Sequence, residues 1–247
     1  MPILCRVTRG DLTESIHVVF AVAVDETGTV FYSTGDPYYL TCIRSSLKPF
    51  QAAAAVKAGA VDAAGFSDDE LAMMCASHNG EDIHVKTVQS MLNKLGLSTL
   101  DLECGSHFPS DKITRHKMIK EGKAAESIHN NCSGKHAGML ALAKHLGLGI
   151  NGYIQKEHPV QKEIFNLVHE LTGLENIPTE TDGCSAPTPF MTLETIARLF
   201  QKLGAGNHQE LSLVFDAMCA NPILVGGTNR FDSLFIEALA GRGITKI

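Results

Sequence analysis

The sequence predicts a mixed α/β (α+β) fold, an antiparallel sheet flanked by helices, and two observations lead to this prediction. Residues 3–25 first alternate between polar and apolar side chains and then become continuously apolar, and a second β-branched stretch over 30–33 follows at hairpin distance. After Pro49, apolar residues recur at helical spacing along most of the chain. Strands therefore open the chain, and helices make up most of the remainder.

Several stretches carry the start and stop signals of helices. An alanine-rich run over 49–59 has proline in its first turn and glycine at its end, and we expect it to be buried. Ser67 and Glu70 form a capping box before the next helix. Further helices are predicted over 82–96, over 112–121, from the 128–140 segment to near residue 147, after residues 156–161, over 193–203 and over 209–220. Residues 243–247 have the composition of a strand.

The composition is that of a soluble globular protein with a large core, since 44% of the 247 residues are hydrophobic and 19% are charged. A formal net charge of −6 and the absence of a basic cluster argue against a nucleic-acid partner. The longest apolar stretch, 16–24, is shorter than the roughly 20 residues of a membrane span, and no secretory leader is recognisable. Seven scattered cysteines indicate a reducing cytoplasm. Without a linker or repeat, 1–247 is predicted to be one domain.

Ser45 and Lys48 precede the alanine-rich run and lie three residues apart. On a helix such residues share a face, so the lysine amine can reach the serine hydroxyl. A serine is a weak nucleophile at neutral pH, and a lysine whose pKa is lowered by burial can accept its proton. The same spacing also occurs by chance on solvated helix faces, which is the more common explanation for the pair taken alone.

Four later segments concentrate polar side chains, at 75–81, 104–111, 128–140 and 180–188. The third is the densest, and it lies at the start of a predicted helix whose free N–H groups can bind a carboxylate. Its composition favours a functional site over a packing role. The first segment suits a helix end equally well.

Two other features carry weaker signals. Cys132 and Cys184 alone are weak evidence for a metal, because zinc normally takes four ligands and no Cys-x-x-Cys pair is present, so buried free thiols are the more common explanation. The glycine-rich turn over 224–232 lacks the lysine of a P-loop and the spacing of a dinucleotide fingerprint, and we predict no nucleotide.

Taken in order, five motifs resemble the L-asparaginase II family, which is related to serine β-lactamases, penicillin-binding proteins and serine glutaminases. The motifs are RSSLKPFQ at 44–51, SHNGE at 77–81, NCSGKHAGML at 131–140, HPVQ at 158–161 and DGCSAPT at 182–188. The resemblance implies a β-lactamase-like, mainly antiparallel sheet with a helical subregion. It also implies an amidohydrolase that converts L-asparagine to L-aspartate and ammonia through a serine acyl-enzyme with two Ser–Lys pairs.

The same resemblance assigns roles to individual residues. Four would be catalytic, with Ser45 paired to Lys48 and Ser77 paired to a lysine late in the chain: Ser45, Lys48, Ser77 and Lys246. Four would bind the substrate, the first through its carboxylate: Arg44, His136, Asp182 and Asn131. Three would bind zinc: Cys132, Lys135 and Cys184.

Family members continue beyond residue 247, so we expect the C-terminal strands to be missing here, with Lys246 as the late lysine just before the break. Two alternatives remain open: a catalytically impaired amino-acid-binding relative, and a related acyl-transfer enzyme acting on glutamine or β-lactams. The expected partners are L-asparagine and, by the resemblance, a second copy in a homodimer; no nucleic acid or membrane is expected.

Overall fold

A computed structural model describes all residues 1–247. The chain begins with two antiparallel hairpins, β1 (Ile3–Arg9) with β2 (Leu12–Val19) and β3 (Ala21–Val24) with β4 (Val30–Thr34). A third sheet has the order β5-β7-β6, with β5 (Leu40–Cys42), β6 (Thr179–Thr181) and β7 (Pro187–Thr192), and it is also antiparallel. The backbone amide of Ile43 donates to the Pro189 carbonyl of β7 at 3.2 Å, and the next residue, Arg44, contacts Asp182 in the loop that follows Thr181.

Helices form the rest of the protein. Short 3₁₀ turns lie at Arg44–Leu47, Thr99–Asp101 and Ser127–His129. The first six α-helices are α1 (Lys48–Lys57), α2 (Ala60–Ala63), α3 (Asp68–Met74), α4 (Asp82–Leu95), α5 (Lys112–Lys120) and α6 (Ser133–His145). The last five are α7 (Pro159–Thr172), α8 (Leu193–Gly204), α9 (Gln209–Ala220), α10 (Pro222–Val225) and α11 (Phe231–Leu239). None of these helices has the length and apolar character needed to cross a bilayer.

The core is built around α6, which is buried from Ser133 to Ala143 and packs against α1, α3, α4 and α7. Glycines allow the closest of these contacts. A Cβ at Gly134 would lie 2.2 Å from the carbonyl oxygen of Met73, and one at Gly138 would lie 2.5 Å from the Cε of Met74. The small residues therefore bring the N-terminal end of α6 directly against the end of α3, from which the 75–81 segment continues.

The structure confirms the predicted mixed α+β class, with small antiparallel sheets and a larger helical part. The helix predictions agree with α1, α4, α5, α6, α8 and α9 to within two residues at the ends that the patterns defined, and the helix predicted after residues 156–161 corresponds to α7. The capping box of Ser67 and Glu70 opens α3 as predicted.

Two predictions of strands differ from the structure. Residues 3–24 are not one strand, because the chain reverses at Gly10, whose φ of 61° suits a tight turn. The resulting hairpin is exposed along almost its full length. Residues 243–247 form no strand, since their backbone pairs with no neighbouring strand; instead the carbonyl of Lys246 accepts a hydrogen bond from the Ser46 hydroxyl at 2.9 Å.

Candidate active site

A cleft of about 590 Å³ lies where α1 begins and collects residues from six parts of the chain. Its lining consists of Cys42, Ile43, Arg44, Ser45, Ser46, Ser77, His78, His107, Ser110, Asn131, Arg230 and Ile247. The lining contains two arginines and no carboxylate side chain. A cleft with this charge suits a ligand that carries an anionic group. Of the predicted site residues, Arg44, Ser45, Ser77 and Asn131 line it directly.

Ser45 lies in the 3₁₀ turn that leads into α1, and its Oγ has no hydrogen-bonding partner. The residue before it, Arg44, has a left-handed backbone with φ of 49°, which is strained for a side chain of this size. The following helix starts at once, with Pro49 in its first turn. The local backbone thus leaves the Ser45 hydroxyl free at the wall of the cleft.

Lys48 is buried beneath this wall, with 1% of its surface exposed. Its amine donates hydrogen bonds to the Ala76 carbonyl, to Ser77 Oγ at 3.0 Å and, more weakly, to the Asn131 carbonyl at 3.4 Å. No hydrogen bond joins it to Ser45, the partner expected from the spacing. Burial lowers the pKa of Lys48, although the Cys132 thiolate opposes that shift. The lysine therefore bridges the segments that carry Ser77 and Asn131.

Lys246 was expected to partner Ser77, but its amine donates to Asp232 Oδ2 at 3.1 Å. The side chain is fully buried and forms an ion pair with that carboxylate. Burial, together with the charge of Lys48, lowers the pKa of Lys246 to about 8. In this structure Ser77 therefore has one amine partner, Lys48, and the amine of Lys246 pairs with Asp232 instead.

The three predicted zinc ligands converge below the cleft. Lys135 Nζ lies 2.8 Å from Cys184 Sγ. The interaction of Cys132 with the Cys184 thiol, with help from the charges of Lys48 and Lys135, lowers the pKa of Cys132 to about 4 and raises that of Cys184. Burial would lower the pKa of Lys135, but the neighbouring thiolate charge raises it overall. A thiolate and an ammonium group thus stabilise each other here.

These three side chains would offer zinc two thiolates and a nitrogen, which are ligand types that zinc accepts. They also converge below the cleft, as a shared metal site requires. The amine can bind a metal only after it loses its proton, so metal binding at these residues would release protons. The other cluster of candidate ligands, Glu170, His208 and Glu210, lies away from the cleft, and Lys57 Nζ already pairs with both of its glutamates.

Asp182 reaches the rim of the cleft from the turn that precedes β7. Its Oδ1 accepts a hydrogen bond from Arg44 Nε at 3.3 Å and from the amide of Gly183. The turn itself contains a second strained residue, Ser185, with φ of 70°. Arg44 and Asp182 therefore place opposite charges side by side at one edge of the cleft.

His136, predicted to bind the substrate, is fully buried and does not line the cleft. Its Nδ1 is hydrogen bonded to the hydroxyl of Tyr153 at 2.7 Å, and its Nε2 has no partner. Burial lowers the pKa of His136 far below its ordinary value, so the ring stays neutral. Its position supports a packing role in α6.

His107 and Arg230 line the cleft but were not among the predicted site residues. The Nε2 atom of His107 accepts a hydrogen bond from the backbone amide of Asn131 at 3.2 Å, and the Nδ1 atom of His107 is bonded to the Phe108 carbonyl at 2.8 Å. Arg230, at the end of the glycine-rich turn, has no hydrogen-bonding or ionic partner for its side chain. His107 lay in a recognised polar cluster, but nothing local in the sequence placed either residue beside Ser77.

Comparison with known proteins gives one clear result. A sequence profile of the family described as L-asparaginase II matches residues 5–247, nearly the whole chain. The matched range begins within β1 and contains every residue that lines the cleft. No curated protein matches the chain.

Proposed function

Because the chain belongs to the L-asparaginase II family, we propose that it hydrolyses the side-chain amide of L-asparagine through an ester intermediate on Ser45. The family supports an asparaginase-type amidohydrolase in general. The observation that carries the finer proposal is the buried Lys48 amine, which bonds Ser77 beside the free hydroxyl of Ser45.

Amide hydrolysis needs a nucleophile, a base that accepts its proton and an acid that supplies the leaving ammonia. Ser45 is a half-buried residue of the cleft whose hydroxyl has no competing partner, and the strained Arg44 backbone holds it at the wall of the cleft. Lys48 is the base, since burial lowers its pKa and makes its neutral form accessible. The hydrogen bond from Lys48 to Ser77 Oγ supports Ser77 as the carrier of the proton to the leaving group.

The proposed reaction balances in two stages. Ser45 Oγ bonds to the amide carbon while its proton passes to neutral Lys48, and the C–N bond then breaks as Lys48 returns the proton through Ser77 to the leaving ammonia. Water next attacks the ester, Lys48 accepts a proton from it, and Ser45 leaves as a hydroxyl to give L-aspartate.

We propose that the substrate's charged groups bind at the edge formed by Arg44 and Asp182. The guanidinium of Arg44 suits the α-carboxylate, and Asp182 lies 3.3 Å from it, where a carboxylate can accept from the substrate's ammonium group. Asn131, which lines the cleft and whose carbonyl accepts from Lys48, is positioned to contact the amide. Opposite charges held together in this way match an amino-acid zwitterion.

Cys132, Lys135 and Cys184 would hold a zinc ion in this proposal. When bound, the ion would supply a fixed positive charge that orders the three side chains beneath the cleft. Removal of zinc by a chelator, followed by metal analysis, tests this part separately from turnover.

The test is ammonia release from L-asparagine, with L-glutamine as the comparison substrate. Ser45→Ala should lower kcat by at least about 10³-fold and abolish any covalent intermediate seen by intact mass spectrometry, because the nucleophile is gone. Ser77→Ala should lower kcat by roughly 10²- to 10⁴-fold but still form the ester.

Ser46→Ala is the matched control, since Ser46 lies in the same turn but bonds the Lys246 carbonyl, and it should retain most activity. If Ser45→Ala still forms the ester and Ser77→Ala does not, the nucleophile is Ser77. The hydrogen bond between Lys48 and Ser77 makes this the second candidate mechanism.

A further inference from the structure

Glu81 joins two segments of the chain that meet at the cleft. One carboxylate oxygen accepts hydrogen bonds from Asn79 Nδ2 and from the backbone amide of Thr228 at 2.7 Å, and the other accepts from the Thr228 hydroxyl at 2.8 Å. Both carboxylate oxygens are therefore engaged. The bonds link the end of the SHNGE motif with the glycine-rich turn 147 residues further along the chain.

The two segments are also paired through their backbones. The amide of Ser77 donates to the Val225 carbonyl at 3.0 Å, and that of Asn79 donates to the Gly226 carbonyl at 3.1 Å. Gly227, with φ of 121°, leaves the space in which Asn79 packs, because a Cβ at Gly227 would lie 2.3 Å from the Asn79 side chain. The side-chain hydrogen bonds of Glu81 add to this backbone pairing.

The turn that Glu81 holds ends at Arg230, whose amide is bonded to the Gly227 carbonyl at 3.2 Å. Arg230 follows a strained residue, Asn229, with φ of 58°, and it lines the cleft with no hydrogen-bonding or ionic partner for its side chain. Arg44, the other arginine of the cleft, already bonds Asp182. Arg230 is therefore the arginine of the cleft whose charge has no partner, and it lines the same cleft as Ser77.

A helix-capping role alone does not account for these contacts. Glu81 is the N-cap residue of α4 and forms a capping box with His84, in which its backbone amide donates to His84 Nδ1 at 3.1 Å. Its carboxylate makes three further bonds outside the helix, to Asn79 and Thr228. Helix capping therefore does not explain why the Glu81 carboxylate bonds Asn79 and Thr228.

We propose that Arg230 is a specificity-determining residue that binds the α-carboxylate of the substrate, and that Glu81 is the positioning residue that presents it by fixing Thr228. This inference rests on the proposed function for the identity of the substrate. Arg44 and Arg230 would then hold the carboxylate from two sides, and loss of either the guanidinium or its anchor weakens binding more than it slows the chemical step.

The experiment compares five variants of the full chain for L-asparagine hydrolysis. Arg230→Met should raise KM by roughly 10- to 100-fold with a smaller change in kcat, and Arg230→Lys, which keeps the charge, should recover part of the loss. Glu81→Gln and Thr228→Val should raise KM in the same direction. In the Arg230→Met background Glu81→Gln should add little, because both changes remove one interaction.

Glu70→Gln is the matched control. Glu70 belongs to the capping box of the preceding helix and accepts from Ser67, Ser90 and Lys94, but it does not touch the cleft. It should lower the melting temperature without changing KM. Hydrogen exchange of residues 226–230 should become faster in Glu81→Gln and stay unchanged in Glu70→Gln.

The proposal is overturned if Arg230→Met leaves KM unchanged, if the effects of Arg230→Met and Glu81→Gln are independent, or if Glu70→Gln raises KM equally. If the wild-type protein releases no ammonia, the proposed hydrolysis fails, and calorimetric binding of L-asparagine to the same variants decides the role of Arg230. Failure to bind L-asparagine at all would overturn both.

Discussion

Arg44 combines a strained backbone with a charged side chain at the edge of the cleft. Its left-handed φ of 49° directly precedes Ser45, and its side chain reaches Asp182 across the edge of the cleft. A non-glycine residue in this conformation costs about 1–2 kcal/mol. Such strain persists where the surrounding structure fixes it, here by the β5-β7 pairing on one side and α1 on the other.

Replacing Arg44 by glycine should separate stability from activity. Glycine relieves the strain but adds backbone entropy to the unfolded chain, and the exposed ion pair with Asp182 contributes little, so we expect the free energy of unfolding to change by no more than about 1 kcal/mol. Asparaginase activity should fall sharply, because the guanidinium is lost. Urea unfolding and ammonia release measure the two effects.

Ala240→Gly is the control, since Ala240 has φ of 48° at the end of α11, away from the cleft. It should stabilise the protein by roughly 0.5–1 kcal/mol and leave activity unchanged. If Arg44→Gly instead unfolds far more easily than the wild type, the conformation is stabilised by the arginine side chain and not imposed on it.

At the scale of single residues, the sequence predicted which residues lie together better than it predicted their hydrogen-bonding partners. Ser45, Lys48, Ser77 and Asn131 do converge, but the spacing rule paired Lys48 with Ser45. The amine instead donates to carbonyls 28 and 83 residues away along the chain. Buried carbonyl groups need donors, and which of them a lysine meets depends on tertiary packing that a local pattern does not contain.

Among the elements, helices with explicit end signals were predicted most accurately. The capping box before α3, the proline in the first turn of α1 and the glycine after α4 are local chemical signals that fix helix ends. The hairpin of β1 and β2 was missed because its apolar run was read as continuous, although Gly10 marks the reversal. Because both strands of this hairpin are exposed, no change between buried and exposed residues marks the turn between them in the sequence.

The contact between α6 and α3 gives the prediction at this scale. Gly134→Ala should destabilise the protein by about 1–3 kcal/mol, because the new Cβ would lie 2.2 Å from the Met73 carbonyl oxygen and the backbone must shift to make room. The shift moves the N-terminal end of α6 relative to α3 and the segment that carries Ser77, so kcat should fall as well. Denaturant unfolding and steady-state kinetics provide the measurements.

Gly149→Ala is the matched control, since a Cβ at that position meets nothing within 4 Å. Its free energy of unfolding should stay within about 0.5 kcal/mol of the wild type. A Gly134→Ala protein as stable and active as Gly149→Ala would show that α6 and α3 can separate without affecting the site.

Across the whole molecule, three buried lysines surround the site, and each has a different neighbour. Lys48 bonds hydroxyl and carbonyl groups, Lys135 contacts a thiol, and Lys246 pairs with Asp232. Burying a charge costs free energy unless a partner compensates it. The site is therefore held by interactions whose strength depends on protonation.

Lys246 makes this dependence measurable in the free energy of unfolding. Burial, reinforced by the charge of Lys48, lowers its pKa in the folded protein from 10.5 to about 8. Between these two pH values the unfolded chain holds a proton that the folded protein has released, so the free energy of unfolding should rise with pH. The contribution is on the order of 3 kcal/mol across the window and is lost as pH falls through 8.

The measurement is urea unfolding of the wild type and Lys246→Met at several pH values from 7 to 10.5. Other groups titrate in both proteins, so the difference between them isolates Lys246. That difference should move in favour of the wild type as pH rises, because only the wild type loses a buried charge. A difference that stays constant, or that moves against the wild type, would mean that Asp232 keeps the amine protonated in the folded state.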